Sequence, residues 1–432
     1  MNKFYITISV LLLLLQFKQV SAQNVALANS ERIEERINKL ATFGALFPGV
    51  MKRVAFSNGD IEARRYIAGL MHFVGLTVTS DAAGNIFGRR KGKNNSLPYL
   101  AFGSHVDAVP AGGKYDGDLG VIGAIECIEI LNKNHIETDH PIEVILFSDE
   151  EEGLIGSRAM IGHLSIEELS HIMNFGKTLR QGINDIGGNA DELDKAKIKP
   201  GSIYAFIELH IEQGANLETS RTEIGIVEGI VGMKPYTITV EGKANHAGTT
   251  PMKLRKDALL TASKLIVAIN ESALNLDGQQ VATVGQITVM PGATNVIPGK
   301  AIISLDMRDL SAQKMDLLFN IIKSKSDSIA HLNNTVITFT AQEYKEPVIT
   351  DKRIQAIIAK SSKELNLTTQ YLQSGALHDT QDMSKIAPSG MIFVPSKNGI
   401  SHSADEYTST ADMSNGVNVL YNTVLKVDKT VF

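Results

Sequence analysis

A chain of 432 residues, 43% of them hydrophobic and 21% charged, has apolar content for two cored domains, which excludes a disordered tail or a linker. Its formal net charge of −5 argues against nucleic acid as a partner. A single cysteine, Cys127, set within an apolar helical pattern, rules out an internal disulfide.

The opening "MNKFYITISVLLLLLQFKQVSAQ" places Lys3 before an apolar run to Leu15, with small residues just ahead of Gln23. This is the layout of a signal peptide cleaved near Ala22, and it predicts an exported protein, periplasmic or secreted. A membrane anchor is the alternative, but the run is short for a bilayer. Removing residues 1–22 takes away Lys3 and Lys18 and no acid, which leaves a mature charge of about −7.

A helix is expected over residues 30–42. "LPYLAFGSHVDAV" then reads as a buried strand ending in polar residues, followed by the glycine-rich loop "PAGGKYDGDLG" and the helical "VIGAIECIEILNK". The next unit repeats the design, with strand "IEVILFSDE", a loop, and "IGSRAM" opening a helix. Ser165 and Glu168 form a capping-box pattern that predicts a further helix, "SIEELSHIMN". The strand "SIYAFIELHIEQG" closes this half. From about Glu218 consecutive strands appear, "EIGIVEGIVGM", "PYTITVEG", "VATVGQITVMPG" and "KAIISLDMRD", with long helices predicted at 251–275 and 311–332. Alternation of helix and strand resumes beyond "TVITFTAQEY", with "SGMIFVPS" as the last strand and a final helix from about Ala411. The expected fold is α/β: a large domain built on a mostly parallel sheet flanked by helices, with a smaller α+β sandwich inserted into it. The boundaries read as 23–216 and 333–432 for the two parts of the large domain and 217–332 for the insert.

Strand ends of one parallel sheet are where sites gather, and the chemically capable residues fall there. His105 and Asp107 point the same way from one strand end, a pattern suited to metal ligation or to a plain structural role. Asp116 lies between glycines where a helix should start, so it is a ligand or an N-cap. Asp149, Glu150, Glu151 and Glu152 crowd negative charge that something positive must offset. His210 in "ELHIEQG" and His402 in "GISHSADEY" complete a set of imidazoles and carboxylates of the kind that holds Zn²⁺ or similar divalent ions.

Taken in order, "GSHVDAV", "GGKYDGDLGV", "DEEEGLIGSR", "ELHIEQG", "GKANHAGTTPM", "PGATNVIPG" and "GISHSADE" resemble the M20 metallopeptidase superfamily. More narrowly, they are similar to its hydantoinase/carbamoylase branch of N-carbamoyl-L-amino acid hydrolases and allantoate amidohydrolases. The resemblance implies two divalent ions, zinc with Mn, Co or Ni as alternatives, bridged by Asp116. His105 and His210 would hold one, a glutamate of the triple and His402 the other, and Asp107 would buttress His105. The family pairs a general base with a ligand, base first. The short spacing to "GSR" favours Glu150 as base and Glu151 as ligand; the alternative is Glu151 and Glu152. His246 is similar to a histidine that reaches across a homodimer, formed by the insert, to steady the oxyanion; without the family it is a turn histidine. Asn295 and Arg308 would grip a substrate carboxylate, although Arg308 can also be read as a surface arginine paired with Asp306 or Asp309. Gln213 would contact the ureido or amide group, and His378 aligns with a substrate-side histidine, where the branch more often carries glycine in place of Leu377. The implied function is hydrolysis of a linear C–N bond in an N-carbamoyl-amino acid or allantoate-like carboxylate. An exported aminopeptidase or dipeptidase is the nearest rival, and a non-catalytic binding protein a second.

Overall fold

The computed structural model describes residues 27–432 apart from 48 and 49; the expected signal peptide lies outside the described residues. The chain builds two main sheets. The large one runs, in spatial order, Val348–Ile349, Ile224–Ile230, Ser389–Val394, Ile203–Ile211, Tyr99–Ser104, Ile142–Leu146, Ile86–Arg90 and Thr77–Ser80, with Thr369–Ser374 also paired to Ile224–Ile230. Its four central strands, from Ser389–Val394 to Ile142–Leu146, are mutually parallel. All five residues of "IEVIL" are buried, as expected of a strand covered on both faces. The charged member, Glu143, is neutralised by Arg89 at 2.7 Å.

One face of this sheet is covered by the helices Ser30–Leu40, Asn58–Phe73, Asp118–Lys133, Lys352–Glu364 and Thr410–Val427, whose apolar sides share one core with the strands. The other face carries a smaller core in which Phe147, Met160, Phe206 and Met383 meet. Among the described residues no helix is long and apolar enough to cross a membrane.

The small sheet consists of Gly232–Glu241, Val281–Thr283, Ile287–Met290, Lys300–Asp309 and Val336–Ala341. Helices Ala258–Leu274 and Ala312–Asn333 pack on one side of it through a separate core. These pairings move the expected boundaries. Ile224–Ile230 lies in the large sheet, and Val336–Ala341 in the small one. The small unit's sheet therefore spans Gly232 to Ala341 rather than filling 217–332.

Two predicted helices are also shortened. After the capping box, with Ser165 N–H on Glu168 at 2.9 Å, only a single 3₁₀ turn forms at Glu167–Ser170. Leu169 is its one buried side chain, and Ile166 and Ile172 are 75% and 77% exposed, so no apolar stripe exists to carry a helix further. The helix expected from 251 begins at Ala258, capped by Asp257, whose carboxylate accepts from Leu260 N–H. Pro251 and the 3₁₀ turn Met252–Leu254 precede it.

Candidate active site

Four parallel strands deliver side chains to one edge. His105 follows Tyr99–Ser104, His210 lies near the end of Ile203–Ile211 and beside Phe393 of the next strand, and Glu150 and Glu151 open a short helical turn after Ile142–Leu146. His402 comes from the loop after Ser389–Val394. Asp116 sits in the loop before the helix Asp118–Lys133. It is not the N-cap, since that position is Gly117, at φ 66°. A Cβ on Gly117 would stand 2.4 Å from the His105 ring, so only glycine permits both the left-handed turn and the imidazole beside it.

The Asp116 carboxylate faces two groups of donors. Its Oδ1 lies 3.1 Å from His210 Nε2 and 3.7 Å from His105 Nε2. Its Oδ2 lies 3.4 Å from His402 Nε2, which is itself 3.4 Å from Glu151 Oε2. The atoms of His105, Asp116 and His210, and again those of Asp116, Glu151 and His402, lie within 4.8 Å of one another.

Both buried imidazoles have their tautomer fixed by backbone carbonyls, which can only accept. His105 Nδ1 donates to Asp107 O at 3.0 Å and His210 Nδ1 to Ile211 O at 2.9 Å. Each Nε2 is thus turned toward Asp116, and the buried His105 Nε2 has no hydrogen-bond partner among the described residues. An orphaned ring nitrogen among carboxylates is a costly arrangement unless a cation completes it. The donor set therefore fits a divalent metal ion.

A third grouping, Glu208, His210 and His378, is also compact. There the Glu208 carboxylate is already occupied by Ser104 Oγ at 2.7 Å and by Thr380 N–H and Oγ at 3.1 and 2.6 Å, which leaves it a structural acceptor.

Electrostatics support the same picture. Burial first, then the neighbouring Glu151, Asp379 and Asp116, push the Glu150 carboxyl well above the usual range; burial and Asp116 do the same to Glu151. Burial lowers His105 to about 4. Burial also works against a charged His210, but the charge and hydrogen bond of Asp116 prevail and raise it to about 9.

Each glutamate of the triple occupies a different setting. Glu150 is buried, with Oε2 3.8 Å from His105 Nε2 and Oε1 3.7 Å from His378 Nδ1. Glu151 belongs to the His402 group. Glu152 turns away, and its carboxylate accepts from the backbone N–H of Asn174 at 2.9 and 3.2 Å. Asp107 touches both the turn and the imidazole: its carboxylate accepts from Glu150 and Glu151 N–H at 3.2 and 3.1 Å and lies 3.7 Å from His105 Nδ1, while its backbone oxygen orients His105.

The substrate-side candidates divide. Gln213 Nε2 donates to Asp116 Oδ2 at 2.6 Å, and Gln213, Glu150, Glu151, His402 and Arg308 line one cavity of about 510 Å³. Arg308 is held by Asp306 at 2.8 Å and by Gly375 O at 2.8 Å, so the surface pairing and the cavity position coexist. His378 differs from expectation. It is 1% exposed, packed against His210, with Nε2 on Ser374 Oγ at 2.9 Å, and so stands behind the cluster rather than on the cavity wall. His246 and Asn295 are exposed neighbours on the small unit and line neither cavity beside the cluster. His246 Nδ1 accepts from Gly248 and Thr249 N–H at 3.0 and 3.2 Å, which leaves Nε2 as the donor.

Sequence reasoning overlooked Glu406, four residues after His402. Its Oε1 accepts from Tyr115 and Asp116 N–H at 2.8 and 3.1 Å. Ser401 Oγ bridges Glu406 Oε2, at 2.8 Å, and Asp116 Oδ2, at 2.9 Å. The loops of Asp116 and His402 are thus tied through one carboxylate. The only signal was an acid within the "SHSADE" motif.

The sequence profile of peptidase family M20/M25/M40 matches residues 101–426. The chain is 39% identical over 399 residues to an N-carbamoyl-L-amino acid amidohydrolase of Geobacillus stearothermophilus, covering 91% of this chain and 97% of that one. It is 35% identical over 428 residues to a ureidoglycolate hydrolase of Arabidopsis thaliana, covering 95% and 89%. A crystal structure of an amidase of the hydantoinase/carbamoylase family from Burkholderia multivorans superposes with a TM-score of 0.86 at 32% identity, covering 94% of this chain and 99% of the other. The chain belongs to peptidase family M20/M25/M40, on its hydantoinase/carbamoylase side.

Proposed function

We propose that this metal-dependent amidohydrolase cleaves the linear C–N bond of an N-carbamoyl-amino acid or an allantoate-like carboxylate, using two ions. The observation that carries the reading is Asp116 shared between His105 and His210 on one side and Glu151 and His402 on the other, with Glu150 buried beside them and Arg308 across the cavity. The ions, zinc in the first instance, would supply Lewis acidity toward the carbonyl oxygen and the attacking water.

The chain's own residues do the rest. Glu150 takes the proton of the attacking water on a carboxylate oxygen and returns it to the leaving nitrogen, a task matched to a carboxyl whose proton affinity burial has raised. Gln213, whose amide nitrogen is fixed on Asp116, keeps its oxygen for an N–H donor of the ureido group. Arg308, with three of its five N–H groups on Asp306 and Gly375 O, keeps one on each terminal nitrogen for the carboxylate. His246, with Nε2 as donor, steadies the oxyanion from the second subunit of a homodimer, assisted by its neighbour Asn295 at the substrate carboxylate.

A dimer through the small unit also accounts for Leu260, Val267 and Leu274. They are spaced by seven on the helix Ala258–Leu274 and 45%, 57% and 77% exposed, an apolar stripe that a second copy would cover. The protein is proposed to act outside the cytoplasm after loss of residues 1–22, without membrane or nucleic-acid partners. N-carbamoyl-L-amino acids, allantoate and dipeptides, each assayed with Zn²⁺, Mn²⁺ and Co²⁺, test the reading. Turnover of the ureido compounds supports it, and turnover of dipeptides alone replaces it with the peptidase reading.

A further inference from the structure

The cavity that joins Arg308 to the cluster has an apolar side that the reaction leaves unexplained. Its charged members are mostly spoken for: Arg158 pairs with Glu168 at 2.7 Å, Lys345 with Glu343 at 2.5 Å, and Glu152 holds Asn174. Beside the exposed His171 and the small Ala376, the partly exposed side chains left on its wall are Met173, Met233 and Leu377.

Their placement relative to Arg308 is specific. Met233 is the direct cross-strand partner of Arg308, so both project from the same face of the small sheet, about 5 Å apart at Cβ. Leu377 packs on a buried apolar group that includes Leu217, Leu372 and Phe393, and is fixed there. Met173 sits at the start of a turn closed by Met173 N–H on Lys177 O and Gly176 N–H on Met173 O, both at 2.9 Å. Glu152 pins that turn to the catalytic glutamates through Asn174.

In an α-amino acid the side chain leaves the carbon next to the carboxylate, so whatever lies beside the carboxylate-holding arginine meets the side chain. Resting on the function proposed above, we infer that Met173, Met233 and Leu377 form the pocket for the substrate's side chain. The preferred substrate is then an N-carbamoyl-α-amino acid with a flexible aliphatic side chain, of the methionine or leucine kind. Thioethers and a γ-branched chain make an adaptable apolar lining. They offer no partner to a second ureido group on the same carbon, which allantoate carries and would have to bury unsatisfied.

The test compares kcat/KM of the metal-reconstituted full chain on N-carbamoyl-L-methionine, N-carbamoylglycine, allantoate and a dipeptide. The methionine derivative should exceed both other ureido compounds by about ten-fold or more, the effect expected of filling an apolar pocket. Met233→Ser and Leu377→Gly should each shrink the methionine-to-glycine ratio by several-fold, chiefly through KM for the methionine compound. Equal or faster turnover of N-carbamoylglycine or allantoate by the unmodified chain overturns the side-chain pocket while leaving the amidohydrolase reading intact. Turnover of the dipeptide alone overturns both.

Discussion

The metal side of the site and its substrate side are built in opposite ways. His105, Asp116, His210 and Glu150 are buried at the end of one sheet, the two rings oriented by backbone carbonyls and the Asp116 loop tied down by Glu406. His246 and Asn295 stand exposed on the other sheet, and Arg308 is occupied by Asp306 and Gly375. Ion binding needs geometry held in advance, because each displaced ligand costs affinity. Gripping a substrate instead requires groups that can be brought in after it enters.

Four measurements sharpen or break this contrast. The largest effect is expected from Glu150→Gln, which should lower kcat about 10³- to 10⁴-fold with full metal content by elemental analysis. Activity that survives this change but is abolished, with metal retained, by Glu151→Gln would reverse the two roles. His246→Ala should cost about 10²- to 10³-fold in kcat without metal loss. Mixing it with the Glu150→Gln chain should restore activity if the histidine serves the neighbouring subunit, and a fully active monomer in light scattering would end that idea. Arg308→Ala should act mainly on KM, raising it about 10- to 100-fold for carboxylate substrates, with a much smaller effect on their amides.

The smallest effect is titrational. His210 has its pKa raised to about 9 in the metal-free chain, above its ordinary value, and must release that proton to become a ligand. Metal affinity should therefore rise with pH up to about 9, by about ten-fold per unit for the His210 proton alone. Calorimetry at pH 7 and 8.5 would read this directly, and a flat profile would place the proton elsewhere.

How far the sequence could be read follows from the reach of each interaction. Strand, glycine loop and helix around His105, Asp116 and Glu150 were legible because buried apolar runs and turn residues are local signals. Ile224–Ile230 was assigned to the wrong unit, since its alternation is the same in either sheet and only pairing with Thr369–Ser374 and Ser389–Val394, far along the chain, decides. His105, Asp116, Glu151, His210 and His402, which the structure brings together, all stood in recognisable motifs. The parts of Glu406, Glu152 and the Asp107 carboxylate were not legible, because each acts through a backbone N–H that no pattern of side chains announces.

One junction has a mechanical meaning. The chain passes between the two sheets at Val231–Gly232 and returns near Lys345–Val348, and these passages run side by side: Met233 and Lys345 exchange N–H···O bonds at 2.9 and 3.0 Å, and Val348 pairs with Ile230. A Cβ on Gly232 would come within 2.8 Å of Lys345 O and Pro347 N, so the two crossings are pressed together. A pair of adjacent strands is an axle. Rotation of the small unit about it sweeps each residue along an arc proportional to its distance from that axis. In such a turn Met233, on the axle itself, and Arg308, its cross-strand partner, would travel least.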